Sequence, residues 1–242
     1  MTRRFDLLFI YTCCYLAFIY LPVLVIPLFS FNDSIYIAFP LQGFTLQWYQ
    51  MLIKNSPGLL DALGNSVKVA AIVSVLSTAF GLLAAKSVTR YYMPGKGAMV
   101  SFIMTPLVIP GIVVGIALLV LLNNAGIELS LFTIGLGHIL VCVPFSMLVL
   151  ISRLEGFDKG YEEAALDLGE NPWGVFWRVT FPLALPGLIA SVLLTFTISF
   201  DEFILAFFLG GTDATLPLYI WSQLRFPNKL PGVLALGTLI LI

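Results

Sequence analysis

The sequence predicts an all-α protein, a polytopic bundle of transmembrane helices, from three observations. Hydrophobic residues make up 60% of the 242 and charged residues only 10%, where a soluble domain carries roughly 25% charged. The apolar residues come in runs of the length that crosses a bilayer core, about 20 helical residues for ~30 Å. Polar connections marked by Gly, Pro and Asn separate those runs, and most of the Lys and Arg fall in alternate connections.

The first expected span covers residues 7–29, after Arg3 and Arg4. It is too long for the apolar part of a signal peptide, lacks a small-x-small cleavage pattern, and is followed by further spans. Residues 30–64 read as a polar connection, with a short interfacial helix around Thr45–Leu52 anchored by Trp48 and Tyr49. The second span is expected over 65–85, with Lys68 snorkelling from its outer end, and Lys86, Arg90 and Lys96 follow it. The third, 99–122, contains Pro106 and Pro110 and should be kinked or locally unwound, because proline removes a backbone donor and clashes with the preceding turn. The fourth covers 131–151, with His138 and Pro144; a polar loop over 152–182 follows; the fifth covers 183–209. The last apolar run, 232–242, would rise only about 17 Å as a helix, so a sixth span is expected to be completed by further chain.

Orientation follows from the basic residues. Arg3, Arg4, Lys86, Arg90, Lys96, Arg153, Lys159 and Arg178 flank one side, and Lys54, Arg225 and Lys229 the other. Eight against three places the N-terminus and the 152–182 loop in the cytoplasm.

Several chemistries find no support. No G-x-x-x-x-G-K-[ST] loop occurs; Gly95-Lys96-Gly97 has neither its spacing nor its hydroxyl. His138, the sole histidine, sits in an apolar helix and reads as a hydrogen-bonded structural residue. Cys13, Cys14 and Cys142 lie in apolar runs without ligand or disulfide spacing and read as small buried groups. No basic cluster suits a nucleic acid. The chain is therefore expected to be no enzyme, to hold no metal, and to bind no cofactor itself.

The 152–182 loop concentrates charge, with Asp158, Glu162, Glu163, Asp167 and Glu170. It reads as a helix from Gly160 to Leu168, capped by Asp158 and closed by Gly169. A second helix follows, capped by Asn171 with Pro172 at its first position, and Trp173, Phe176 and Trp177 give it an apolar side. Pro182 and Pro186 mark the passage into the fifth span. Read from composition alone, the loop is equally an ordinary solvated connection.

Glu163-Ala164-Ala165-x-x-x-Gly169, with Val179-x-Phe181-Pro182 after it, resembles the EAA signature of ATP-binding-cassette importer permeases. Phe181 stands where an aliphatic residue is usual. The wider resemblance is to the spermidine/putrescine type, through Ser30-Phe31-Asn32, Gly43-Phe44-Thr45 with Trp48-Tyr49, His138-Ile139 with Cys142, Pro144 and Phe145, Ser152-Arg153-Leu154, Gly156-Phe157-Asp158, and Ser199-Phe200-Asp201-Glu202. The resemblance implies the helical bundle of that permease type and an inner-membrane location. It also implies ATPase subunits carrying ATP and Mg, a second permease subunit and a periplasmic binding protein as partners. Glu163, Ala164, Ala165, Asp167, Gly169 and Pro182 would be the residues that dock the ATPase.

The fifth span carries Asp201 and Glu202. Carboxylates inside a span cost a few kcal/mol and usually face a cavity or a partner. Thr195, Ser199 and Glu202 share a helical face at i, i+4 and i+7, beside a stripe of Phe196, Phe200, Phe203 and Phe207. Carboxylates among aromatic rings suit a passing ammonium group, so Asp201, Glu202, Ser199 and Phe200 form a candidate path for a polyamine. In the alternative, Asp201 pairs with Lys68 or with a partner subunit, and the stripe is packing. An importer subunit for another solute and a self-contained channel or carrier stay open as alternative functions.

Overall fold

A computed structural model describes residues 7–241. Arg3 and Arg4, used above for orientation, and Ile242 lie outside the described residues. Among the described residues there is no strand, only an isolated bridge between Asn32 and Phe44. Four helices are long and apolar enough to cross a membrane, at Leu7–Ser30, Gly58–Arg90, Leu131–Glu155 and Pro172–Asp201. The chain divides into two compact units, residues 1–60 with 219–242 and residues 61–218.

In the first unit, α1 (Leu7–Ser30) is apolar on every side, and none of its most apolar stretch is buried within the chain. Cys13 and Cys14 are accordingly exposed on α1, not buried as expected. The loop after α1 is stapled to α2 (Gln47–Asn55). The Trp48 indole donates to the Asn32 carbonyl at 2.9 Å, Asn32 Oδ1 accepts from the Gln42 amide at 2.9 Å, and the Ser30 and Tyr49 hydroxyls meet at 2.6 Å. Trp48 and Tyr49 thus pin the loop by hydrogen bonds as well as suiting an interface.

The second unit holds most of α3 (Pro57–Arg90), α4 (Lys96–Val108), α5 (Gly111–Asn124), α6 (Leu131–Glu155) and α7 (Gly160–Asp167). It continues through α8 (Pro172–Val175), a π-helical turn (Phe176–Thr180), α9 (Phe181–Asp201), α10 (Ile204–Leu209) and the start of α11 (Leu216–Leu224), which leads into α12 (Leu230–Leu241) in the first unit. α3 begins earlier than expected, because proline is tolerated at a helix start, where its missing N–H has no partner anyway.

Two apolar clusters form the core of this unit. One gathers Val73, Val114, Ile134, Leu205 and Leu209, and the other Leu82, Ala85, Met147, Leu150 and Leu188. A hydroxyl layer belongs to α3, α6 and α9: Ser191 donates to Ser146 at 2.8 Å, and the Thr78 and Ser191 hydroxyls lie 3.0 Å apart. Gly81 permits that approach. A Cβ there would meet Ser146 Oγ and lie 2.9 Å from the Met147 amide nitrogen. Small and hydroxyl side chains at helix crossings are how spans pack without a hydrophobic drive between them.

Two expected spans are not single helices. The segment over 99–122 is α4 and α5, bent by 102° at Ile109–Pro110. Pro110 cannot donate to the Pro106 carbonyl, and the residue before a proline is driven from helical geometry; Ile109 is extended, with ψ 132°. The segment over 183–209 is α9 and α10, broken at Glu202, which is extended with ψ 109°. At its other end α9 runs back without interruption through the π turn and α8 to Pro172, so Pro182 and Pro186 lie within a continuous helix.

Candidate functional site

The 152–182 loop builds its geometry from local rules. Asp158 Oδ1 accepts the Gly160 amide at 2.9 Å at the start of α7. Glu162 and Glu163 occupy the first turn, where the helix dipole favours carboxylates. Gly169 closes the helix at φ +88°, a left-handed conformation that costs a residue with a side chain about 1–2 kcal/mol. Asn171 Oδ1 accepts the Gly174 amide at 2.8 Å and Pro172 takes the first position of α8. Glu170 folds over Gly174 to meet Arg178.

The π turn has an identifiable cause. Pro182 has no N–H to return to the Arg178 carbonyl, and its ring crowds that carbonyl in a regular helix. Opening the turn lets the Phe181 amide reach Phe176 instead, as π turns do where a helix must absorb an extra residue. Trp177 and Phe181 rings pack at 5.0 Å beside it, Trp173 and Phe176 join them, and Lys86 lies 4.8 Å above the Phe176 ring.

No residue of α7 is buried. Glu163, Ala164, Asp167 and Gly169 are exposed and Ala165 is half-buried. Leu168 is 89% exposed and Tyr161 and Leu166 are exposed with it. Pro182 is also exposed, on α9.

Glu162, which the sequence offers only as one of five loop carboxylates, is half-buried. Its Oε2 lies 3.2 Å from Arg90 Nε, with the two side chains 14% and 6% exposed, and its Oε1 accepts from the buried Thr180 hydroxyl. The Arg90–Glu162 contact is an ion pair without a hydrogen bond from Nε, while Arg90 Nη2 donates to the carbonyls of Leu154 at 2.9 Å and Phe157 at 3.3 Å, and the guanidinium stacks 4.4 Å over the Phe157 ring. The available signals were the adjacency of two glutamates, which point about 100° apart on a helix, and a basic group at the end of an apolar run.

The candidate path is only partly assembled. Asp201 is exposed, and among the described residues it has no ion-pair partner; Lys68 does not reach it. Phe196 and Phe200 stack at 5.9 Å, and Phe203 and Phe207 lie tilted at 5.7 Å. Glu202 is half-buried, and its Oε1 accepts the amides of Ile204 at 2.8 Å and Leu205 at 3.2 Å, capping α10. Its expected helical register with Ser199 is lost because α9 ends first. Ser199 is buried within the chain, and its hydroxyl meets His138 Nδ1 at 2.9 Å. The Thr195–Ser199 face is the packed face of α9, since hydroxyls in a span are retained where another helix supplies partners.

The fold describes a multi-span membrane component with an exposed helix between its apolar spans. Residues 77–242 match the family described as binding-protein-dependent transport system inner membrane component, and the chain belongs to that family. It is 35% identical over 227 residues to the spermidine/putrescine transport system permease protein PotC of Escherichia coli K12, covering 93% of this chain and 85% of the relative. The putrescine transport system permease protein PotI of the same strain is 33% identical over 233 residues, covering 93% and 82%. A probable molybdenum ABC transporter permease protein of Haloferax volcanii is 34% identical over 200 residues, covering 76% and 74%. Among solved structures, a chain of a bacterial ABC transporter involved in the import of the acidic polysaccharide alginate shares the fold, with TM-score 0.71 at 16% identity over 100% of this chain and 95% of that one. The chain is thus an inner-membrane transport subunit and not an enzyme.

Proposed function

We propose that the chain is one membrane-spanning half of an ATP-driven importer for polyamines, and that α7 is where a separate ATPase docks. The observation that carries the docking assignment is the exposed Glu163–Gly169 segment on a helix with no buried residue. Glu163 would meet a basic or hydrogen-bonding group of the ATPase, the small Ala164 and Ala165 would let its backbone approach, Asp167 would add charge, and Gly169 would hold the turn. ATP and Mg belong to that partner. The excess of Lys and Arg beside α3, α6 and the loop helices supports a cytoplasmic position for α7 and for the N-terminus. A second permease would complete the pathway, and a binding protein would deliver the solute.

Polyamine as solute is supported by the names of two relatives and by the unpaired Asp201 with Phe200 beside it, a setting that attracts ammonium groups by charge and by ring faces. The molybdenum-type relative favours the second reading, another small solute of the same importer class.

The experiment is uptake into vesicles holding the reconstituted complex. Radiolabelled spermidine should enter with ATP and be blocked by vanadate; ATP-independent uptake defeats the importer reading, and uptake of molybdate in its place selects the second solute. Glu163→Ala and Gly169→Asp should each lower ATPase co-purification at least tenfold, about 1.4 kcal/mol, with unchanged membrane insertion. Wild-type co-purification in both variants removes α7 from the ATPase contact.

A further inference from the structure

We propose that Glu162, Arg90 and Thr180 form a joint that carries the movement of α7 into the spans. The proposal rests on α7 being the ATPase-docking helix and adds what fastens it behind. No residue of α7 is buried, and the helix rests on α8 and the π turn. Beside it lies a cavity of about 200 Å³ bordered by Lys86, Arg90, Lys159, Glu162, Glu163 and Leu166, so this side of the helix is not packed solid against the spans. One carboxylate bridges it to the bundle. Glu162 reaches the end of α3 through Arg90 and the start of α9 through Thr180, while Arg90 holds the end of α6 through the Leu154 and Phe157 carbonyls. Three spans thereby converge on one ion pair. A mostly desolvated ion pair that also satisfies backbone carbonyls keeps one geometry, because separating it would strand a charge. Glu163 and Glu162 divide the labour: Glu163 is exposed and available to the partner, while Glu162 is half-buried and bonded to the spans.

The test uses the complete complex in proteoliposomes, with radiolabelled spermidine. Glu162→Gln should keep the ATPase bound and hydrolysing while spermidine imported per ATP falls at least tenfold, and Glu162→Asp should recover part of it. Normal import per ATP in E162Q, or loss of the ATPase to the extent seen in E163A, overturns the joint. If E163A instead keeps its ATPase, the docking reading fails independently. Where E162Q lowers the amount of chain in the membrane, the R90M/E162M double variant decides, since packed apolar side chains replace a buried pair without stranding a charge. Restored chain with low import supports the joint; restored chain with normal import shows a merely structural pair.

Discussion

Adjacent residues on a helix point about 100° apart, and this separates Glu162 from Glu163 more decisively than their identical chemistry unites them. The same rule reassigns the fifth span. Ser199 turns into the bundle and bonds His138, whose Nε2 has no hydrogen-bond partner among the described residues. Ser199→Ala should therefore cost stability, about 1–3 kcal/mol for the stranded imidazole, read as a lower unfolding temperature in detergent, while the KM for spermidine is unchanged. A raised KM at unchanged stability would return Ser199 to the path. Two residues on, Asp201 faces out of the chain. Asp201→Asn should lower spermidine uptake about tenfold with the complex still assembled; unchanged kinetics would make Asp201 a contact for another subunit.

At the scale of elements, the local punctuation was readable. Asp158, Gly169, Asn171 and Pro172 all do what short-range rules assign them, because each bond spans only a few residues. Prolines were readable only as interruptions. Pro106 and Pro110 announced a departure from regular helix, but the 102° bend depends on what α4 and α5 pack against. Pro182 was read as a boundary, yet the helix continues by opening a π turn. That turn holds one residue more than an α-helical path would, so it sets the phase of α8 and α7 against α9. Deleting Val179 should leave insertion intact but rotate the preceding segment by about 100°, abolishing ATPase co-purification. Normal co-purification would show that the loop re-forms independently of the phase of α9.

For the molecule as a whole, composition and run length revealed the helical membrane class, and the EAA-like spacing pointed to the transport family to which the chain belongs. Contacts between distant segments were illegible for a plain reason: nothing near Arg90 in the chain says that Glu162 will arrive beside it, or that Ser191 will face Thr78. The hydroxyl layer has a consequence for the order of synthesis. Ser191 bonds both Thr78 and Ser146, yet it belongs to the last of the three helices to leave the ribosome. Until α9 arrives, α3 and α6 carry hydroxyls whose native partner has not been made, in a solvent that offers none. The two earlier helices acquire their final hydroxyl pairing only when the third is in place.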